Sequence, residues 1–125
     1  CHELSHLSGY MREDEANFIA FLACLQSDDP EFRYSGVYLA SVHAMNALLT
    51  VDSDLWNQAD ALKSDALRRD IRSNNAYWKQ YETPVSEVSD RVNDAYLKAN
   101  GQENGLRSYG RMVDLLLAYY RDELQ

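Results

Sequence analysis

Residues that form turns are scarce in this chain. Only five glycines and two prolines occur among 125 residues, which is too few for a protein built from many short strands. The hydrophobic fraction of 46% also excludes a disordered chain. A chain of this size has the length of one domain with a core of its own. Composition therefore predicts an all-α fold in a single domain.

Positively charged residues are also scarce. Twelve Lys and Arg face twenty Asp and Glu, for a net charge of -8. Proteins that bind nucleic acid through its phosphates need clustered basic residues, so we expect no nucleic-acid partner. An acidic surface suits a protein partner with a basic surface.

Cysteine is limited to Cys1 and Cys24. Cys24 lies among Phe21, Leu22 and Leu25, where a free thiol behaves as a small buried hydrophobe. A Cys1–Cys24 disulfide is the alternative, and it would need an oxidising compartment.

The first residue, Cys1, resembles the lipidated cysteine of a mature bacterial lipoprotein, and His2 after it resembles lipoproteins sent to the outer membrane. This resemblance implies lipidation of Cys1 and a place in the cell envelope, either the periplasm or the outer-membrane surface. Without it, a cytoplasmic location is expected. A disulfide at Cys1 would compete with lipidation.

Charge is absent from the run Tyr34–Val51, although 26% of the whole chain is charged. Asp29 and Pro30 before it are typical of an N-cap and a first helical position. We predict a central buried helix over residues 30–51, and its uncharged run Tyr34–Val51 is too short and too polar to span a membrane. Its apolar stripe comprises Tyr34, Val37, Tyr38, Val42, Met45, Leu48 and Leu49.

Apolar periodicity predicts four further helices around this one. They cover residues 13–27, 55–71, 84–100 and 106–124, with a break at Ser73-Asn74-Asn75 and no assignment for 76–82. Residues 1–12 are polar and are predicted to be a flexible segment or linker, with a frayed helix as the alternative. The chain is thus expected to form a compact bundle of about five helices over residues 13–125.

His2, Glu3 and His6 place metal-binding side chains close together at the start of the chain. On a helix, His2 and His6 would lie one turn apart, a spacing that zinc sites use. Glu3 and His6 also match the Glu-x-x-His form of di-iron bundles, but no second copy of that motif occurs. We therefore expect no native metal and no cofactor.

His43 lies in the middle of the central helix and is predicted to be a buried polar or ligand-facing residue. The run Tyr38–Ala44 around it is similar to the second helix of HEPN domains, which include RNases. Their signature is an Arg followed four to six residues later by His, whereas Arg33 precedes His43 by ten residues. The resemblance implies an RNase-like helical enzyme as one alternative function.

Arg72, Tyr77, Trp78 and Tyr81 combine residue types that often dominate protein interfaces. Without a motif for catalysis, we predict a non-enzymatic protein that binds another protein, as an adaptor, inhibitor or immunity protein. A HEPN-like or metal-binding enzyme is one alternative, and a subunit that self-associates is another.

Overall fold

The computed structural model describes residues 1–81 and 109–123, which contain six helices and no strand. The all-α bundle predicted from composition is confirmed. The helix predicted over residues 84–100 lies outside the described residues. The helices are α1 His2–Leu7, α2 Glu13–Leu25, α3 Pro30–Val51, α4 Ser53–Ala61, α5 Asp65–Lys79 and α6 Tyr109–Glu123.

Side-chain caps determine where the middle helices begin. The Asp29 carboxylate accepts the Glu31 amide at 2.8 Å, with Pro30 at the first helical position, so the cap predicted for α3 is confirmed. Asp52 caps α4 by accepting the amides of Asp54 and Leu55 at 3.0 and 2.9 Å. Each cap satisfies backbone donors that have no partner inside the helix.

The single helix predicted over residues 55–71 is wrong, because the structure divides it into α4 and α5. The Ser64 hydroxyl starts a new helix by accepting the Leu67 amide at 3.2 Å. Asp60 then joins the two helices through Lys63 Nζ at 2.7 Å and Arg68 Nη1 at 3.0 Å. The hydrogen bond from Lys63, and then that from Arg68, hold the pKa of Asp60 below its usual value.

The break predicted at Ser73-Asn74-Asn75 is also wrong, because α5 continues through these residues to Lys79. Their side chains are exposed to solvent, where they do not have to compete for the helix's backbone hydrogen bonds. Tyr34 on α3 donates a hydrogen bond to the carboxylate of Asp70 on α5. That bond raises the pKa of the Tyr34 hydroxyl.

The core lies where α2, α3 and α6 meet. Phe21 on α2 and Met112 on α6 are fully buried, and Ala40 and Leu116 complete the cluster. Helix α3 contacts α2, α4 and α6, and among its described residues the buried ones are small, Gly36 and Ala40. A Cβ atom on Gly36 would lie 2.6 Å from Cys24 Cβ, so glycine permits close approach of α2 and α3.

Residues 2–7, within the segment predicted to be flexible or a frayed helix, form a helix that packs on α2. None of the described helices combines the length and the apolar character needed to cross a membrane. The position of α1 on α2 is what brings the candidate site together.

Candidate metal centre

A tight turn after α1 reverses the chain and leads it into α2. The Gly9 amide donates to the His6 carbonyl at 3.0 Å and the Tyr10 amide donates to the Ser5 carbonyl at 3.1 Å. This pair of bonds is a Schellman motif, with Gly9 at a φ of 99°. Glycine is favoured there because a left-handed backbone costs other residues energy. The turn returns the chain alongside the face of α1 that carries both histidines.

Three side chains converge between α1 and α2. His2 and His6 are one helical turn apart on α1, and their Nε2 atoms lie 3.0 Å from each other. Glu13, the first residue of α2, places Oε2 3.3 Å from His2 Nε2 and Oε1 3.4 Å from His6 Nε2. One ligand atom from each of the three side chains can be chosen so that all three lie within 4.8 Å of one another, which forms a small triangle.

The separations within this group approach those between ligand atoms of a tetrahedral zinc site. Zinc bonds to nitrogen and oxygen of about 2.0–2.1 Å place adjacent ligand atoms about 3.3–3.4 Å apart. The two nitrogens lie 3.0 Å apart, and each lies near a different oxygen of the Glu13 carboxylate, at 3.3 Å for His2 and 3.4 Å for His6. The side chains remain 21–28% exposed, so the site is open to solvent. Three protein ligands with an open fourth position are typical of catalytic zinc.

The two histidines are held differently. His6 Nδ1 lies 2.7 Å from the Tyr10 carbonyl, which can only accept, so Nδ1 carries the proton and donates it. His6 Nε2 is then left with its lone pair directed at the triangle, as a metal ligand requires. The Nδ1 atom of His2 is buried and has no hydrogen-bond partner among the described residues. The His6 ring is thus oriented by the Tyr10 carbonyl in the Gly9 turn, whereas the His2 ring contacts His6 and Glu13.

Residues beside Glu13 fix the start of α2. Asp14 is 3% exposed, and Arg12 holds its carboxylate through Nη2 to Oδ2 at 3.0 Å and Nε to Oδ1 at 3.3 Å. The hydrogen bond to Asp14, with its charge, raises the pKa of Arg12. A buried carboxylate needs such a partner to offset its desolvation. This pair stabilises the helix end from which Glu13 reaches the histidines.

Glu3 is next to His2 on α1, and its side chain is exposed. With about 100° between successive helical residues, it lies roughly 80° around the helix from the middle of the histidine pair. Residues 2–6 therefore have the order His-Glu-x-x-His on a helix, the pattern in which two histidines bind zinc and the glutamate acts as a general base.

The prediction of no metal used the spacing of His2 and His6 but did not use this five-residue order. It also assigned Glu13 only to the charge at the start of a helix. The order of residues 2–6 was visible in the sequence. The third ligand was not, because its identification depends on how the Gly9 turn places α2.

The four residues predicted to bind a partner lie on α5 or just after it. The rings of Tyr77, Trp78 and Tyr81 form a cluster, with centroids 5.3 Å apart for Tyr77–Trp78 and for Tyr77–Tyr81. They are 53, 60 and 56% exposed. Arg72 precedes Tyr81 by nine residues, which is about half a turn around an ideal helix, so it does not join the aromatic cluster.

His43 and Cys1 were the other predicted positions. His43 is half-buried on α3, and burial lowers its pKa from an ordinary value of 6.5. Cys1 is exposed immediately before α1, and its Sγ lies 3.9 Å from Cys24 Sγ.

Fold and site together define an all-α protein with a candidate three-ligand metal centre between its first two helices. The chain belongs to the family described as protein of unknown function (DUF3810), whose model matches residues 1–117. That match includes His2, Glu3, His6 and Glu13. No curated protein and no solved structure matches the chain.

Proposed function

We propose that this protein is a zinc-dependent hydrolase that cleaves amide bonds in peptides. The observation that carries the proposal is the convergence of His2, His6 and Glu13, whose candidate ligand atoms lie within 4.8 Å of one another, with Glu3 beside them on α1. The His-Glu-x-x-His order gains weight from its context, since it lies on a helix and a second helix supplies a third ligand.

The ligand set favours zinc over magnesium and calcium. Two imidazole nitrogens and one carboxylate oxygen are the ligands of His₂Glu catalytic zinc sites. Magnesium and calcium prefer sites made of oxygen ligands alone. When bound, zinc would polarise the substrate carbonyl as a Lewis acid and make water a stronger nucleophile at neutral pH.

The residues of this chain would bind the metal, orient its ligands and transfer protons. His2, His6 and Glu13 hold the metal, and the Tyr10 carbonyl keeps His6 in the tautomer that binds through Nε2. The Glu3 carboxylate accepts a proton from the attacking water and returns it to the departing amine. Its exposed position on α1 keeps it reachable from solvent.

Metal content is the first test. Protein purified without a histidine tag should contain one zinc per chain by elemental analysis, and His6→Ala should lose it. Glu31→Gln is the matched control, because Glu31 is an exposed glutamate in the first turn of α3 and lies outside the site. Absence of stoichiometric zinc from the wild-type chain, after dialysis against zinc and removal of the excess, would overturn the proposal.

Catalysis is tested separately with a mixture of internally quenched fluorescent peptides. Glu3→Gln should retain zinc but lose peptide cleavage by about 100-fold or more, since general-base catalysis contributes on that order. Equal cleavage by wild type and Glu3→Gln would remove Glu3 from the mechanism. A zinc-loaded wild type that cleaves no peptide would overturn the hydrolase and leave a metal-binding protein.

A second candidate function is favoured by the exposed aromatic cluster. We propose that Tyr77, Trp78 and Tyr81 bind a protein partner with a basic surface, because aromatic anchors supply apolar area and the net charge of -8 would attract such a partner. A surface of this kind is compatible with hydrolase activity elsewhere on the chain.

Binding through this cluster is tested with Trp78→Ala. Affinity for a partner isolated by crosslinking to the wild-type protein should fall by about tenfold or more, the effect of losing an interface anchor. The helical circular-dichroism signal should not change, and Trp56→Ala serves as the tryptophan control. Unchanged affinity removes the cluster from the interface, and mass that increases with protein concentration in sedimentation would indicate self-association instead.

A further inference from the structure

We propose that Cys1 and Cys24 form a reversible disulfide that fastens α1 to α2 and so controls how firmly the candidate metal centre is held. The two thiols are far apart in sequence but their Sγ atoms lie 3.9 Å apart. Both are free in the structure, which therefore represents the reduced state.

The geometry needs little change for the bond to form. A disulfide has an S–S length of about 2.05 Å, so the sulfurs must approach by a little under 2 Å. Cys1 is exposed and precedes the first residue of α1, which leaves its side chain room to rotate. Cys24 is half-buried in the last turn of α2, and the close approach of Gly36 on α3 limits its movement on that side. We therefore expect the Cys1 side chain to make most of the movement that forms the disulfide.

The chemistry balances with a low-molecular-weight disulfide as the oxidant. One protein thiol displaces a thiol from oxidised glutathione and forms a mixed disulfide, and the second protein thiol then displaces the remaining glutathione. The protein loses two hydrogens, and two molecules of reduced glutathione leave. A thiol reductant reverses both steps.

The expected consequence follows from the small size of α1. A helix of six residues is not stable alone, and α1 carries Leu4 and Leu7 at 64 and 84% exposure. Its attachment therefore depends on contacts with α2, and α1 supplies two of the three ligands. A covalent bond between Cys1 and Cys24 keeps α1 near α2 during any local opening. This effect on metal retention rests on the proposed zinc site, whereas the disulfide itself does not.

Formation of the disulfide is tested on the wild-type chain in buffers of defined reduced and oxidised glutathione. Oxidation should lower the mass of the monomer by two hydrogens, remove both titratable thiols, and add no glutathione. Cys24→Ser is the control, since it should yield only a mixed disulfide or a dimer through Cys1. Two thiols that remain free under oxidised glutathione, or a Cys1 that carries a lipid, would overturn the inference.

The effect on α1 is tested first without metal. Hydrogen exchange of the α1 amides in metal-free protein should slow by about tenfold or more on oxidation, a fraction of the upper limit from chain entropy for a loop of this length. Zinc release to a chelator should slow in parallel, and Cys24→Ser should show neither change. Unchanged exchange and zinc release in the oxidised protein would overturn control of the site. Absence of zinc from both redox forms, with exchange still slowed, would overturn the proposed hydrolase and retain the disulfide.

Discussion

Single residues in this protein have roles that depend on a few close contacts. His6 illustrates this, because its Nδ1 bond to the Tyr10 carbonyl determines which nitrogen remains available for a metal. Glu13 acquires its proposed role by facing two histidines, although its position at the start of α2 also suits the helix dipole. One carboxylate can thus serve both local helix stability and a site.

His43 carries a pH prediction at this scale. Burial lowers its pKa below the ordinary value of 6.5, so the unfolded chain takes up the proton first as the pH falls. The free energy of unfolding should therefore decrease below about pH 6.5, by at most about 1.4 kcal/mol per pH unit for one proton.

Urea unfolding of wild type and His43→Gln, measured from about pH 7 to about pH 5, checks this. The variant should lose the share of the slope due to His43, while the slope from other groups remains. Identical slopes in the two proteins would show that His43 does not contribute. Metal-free protein is used so that zinc binding does not add to the slope.

Elements are the scale at which the candidate site is assembled. Helix α1 is short, and the Schellman turn at Gly9 leads from it into α2, whose start is stabilised by the Arg12–Asp14 pair. Neither the turn nor the ion pair contributes a candidate metal ligand. The turn positions the histidines of α1, and the ion pair stabilises the helix end that carries Glu13.

A substitution at Gly9 should weaken the docking of helix α1 on α2. A Cβ atom at Gly9 would have no heavy atom within 4 Å, so Gly9→Ala is penalised only by its φ of 99°. The penalty is about 1–2 kcal/mol, and it acts on the turn that docks α1. Zinc affinity should fall by a factor of about 5–30 if docking and binding are coupled.

Competition with a chromophoric chelator measures the affinity of wild type, Gly9→Ala and Gly9→Asn. Asparagine tolerates the left-handed region better than alanine, so Gly9→Asn should bind zinc more tightly than Gly9→Ala. Equal affinities for all three proteins would separate the turn from the site.

At the scale of the whole molecule, α2, α3 and α6 share the core, and α1 packs on α2 outside it. The stripe predicted for α3 is only partly covered, since Val37 and Leu49 are 46 and 51% exposed. Small residues face the neighbouring helix instead, where Gly36 lets α3 approach Cys24. In the part of the chain that the structure describes, the largest fully buried side chains are Phe21 on α2 and Met112 on α6.

Phe21→Ala should therefore lower the free energy of unfolding by about 3–5 kcal/mol, through lost burial and a cavity among α2, α3 and α6. Phe32→Ala is the control, because Phe32 is 52% exposed on α3 and its loss should cost less than about 1 kcal/mol. Urea unfolding followed by circular dichroism measures both. Similar losses for the two variants would mean that the core is not centred on Phe21.

The sequence by itself determined the helical class and the well-capped helix boundaries. Scarce glycine and proline exclude a sheet protein, and Asp29-Pro30 marks the start of α3 because capping and proline geometry are local effects. The sequence also contains the His-Glu-x-x-His order at residues 2–6, a pattern of residue spacing alone.

Only the tertiary structure decided what those residues face. Periodicity continues across residues 62–64, so the division into α4 and α5 depends on Ser64 and on the contacts of Asp60. Glu13 lies close to two histidines, and Cys1 lies close to Cys24, because the Gly9 turn packs α1 against α2. Contacts between separate elements depend on the path of the chain, which local patterns do not specify.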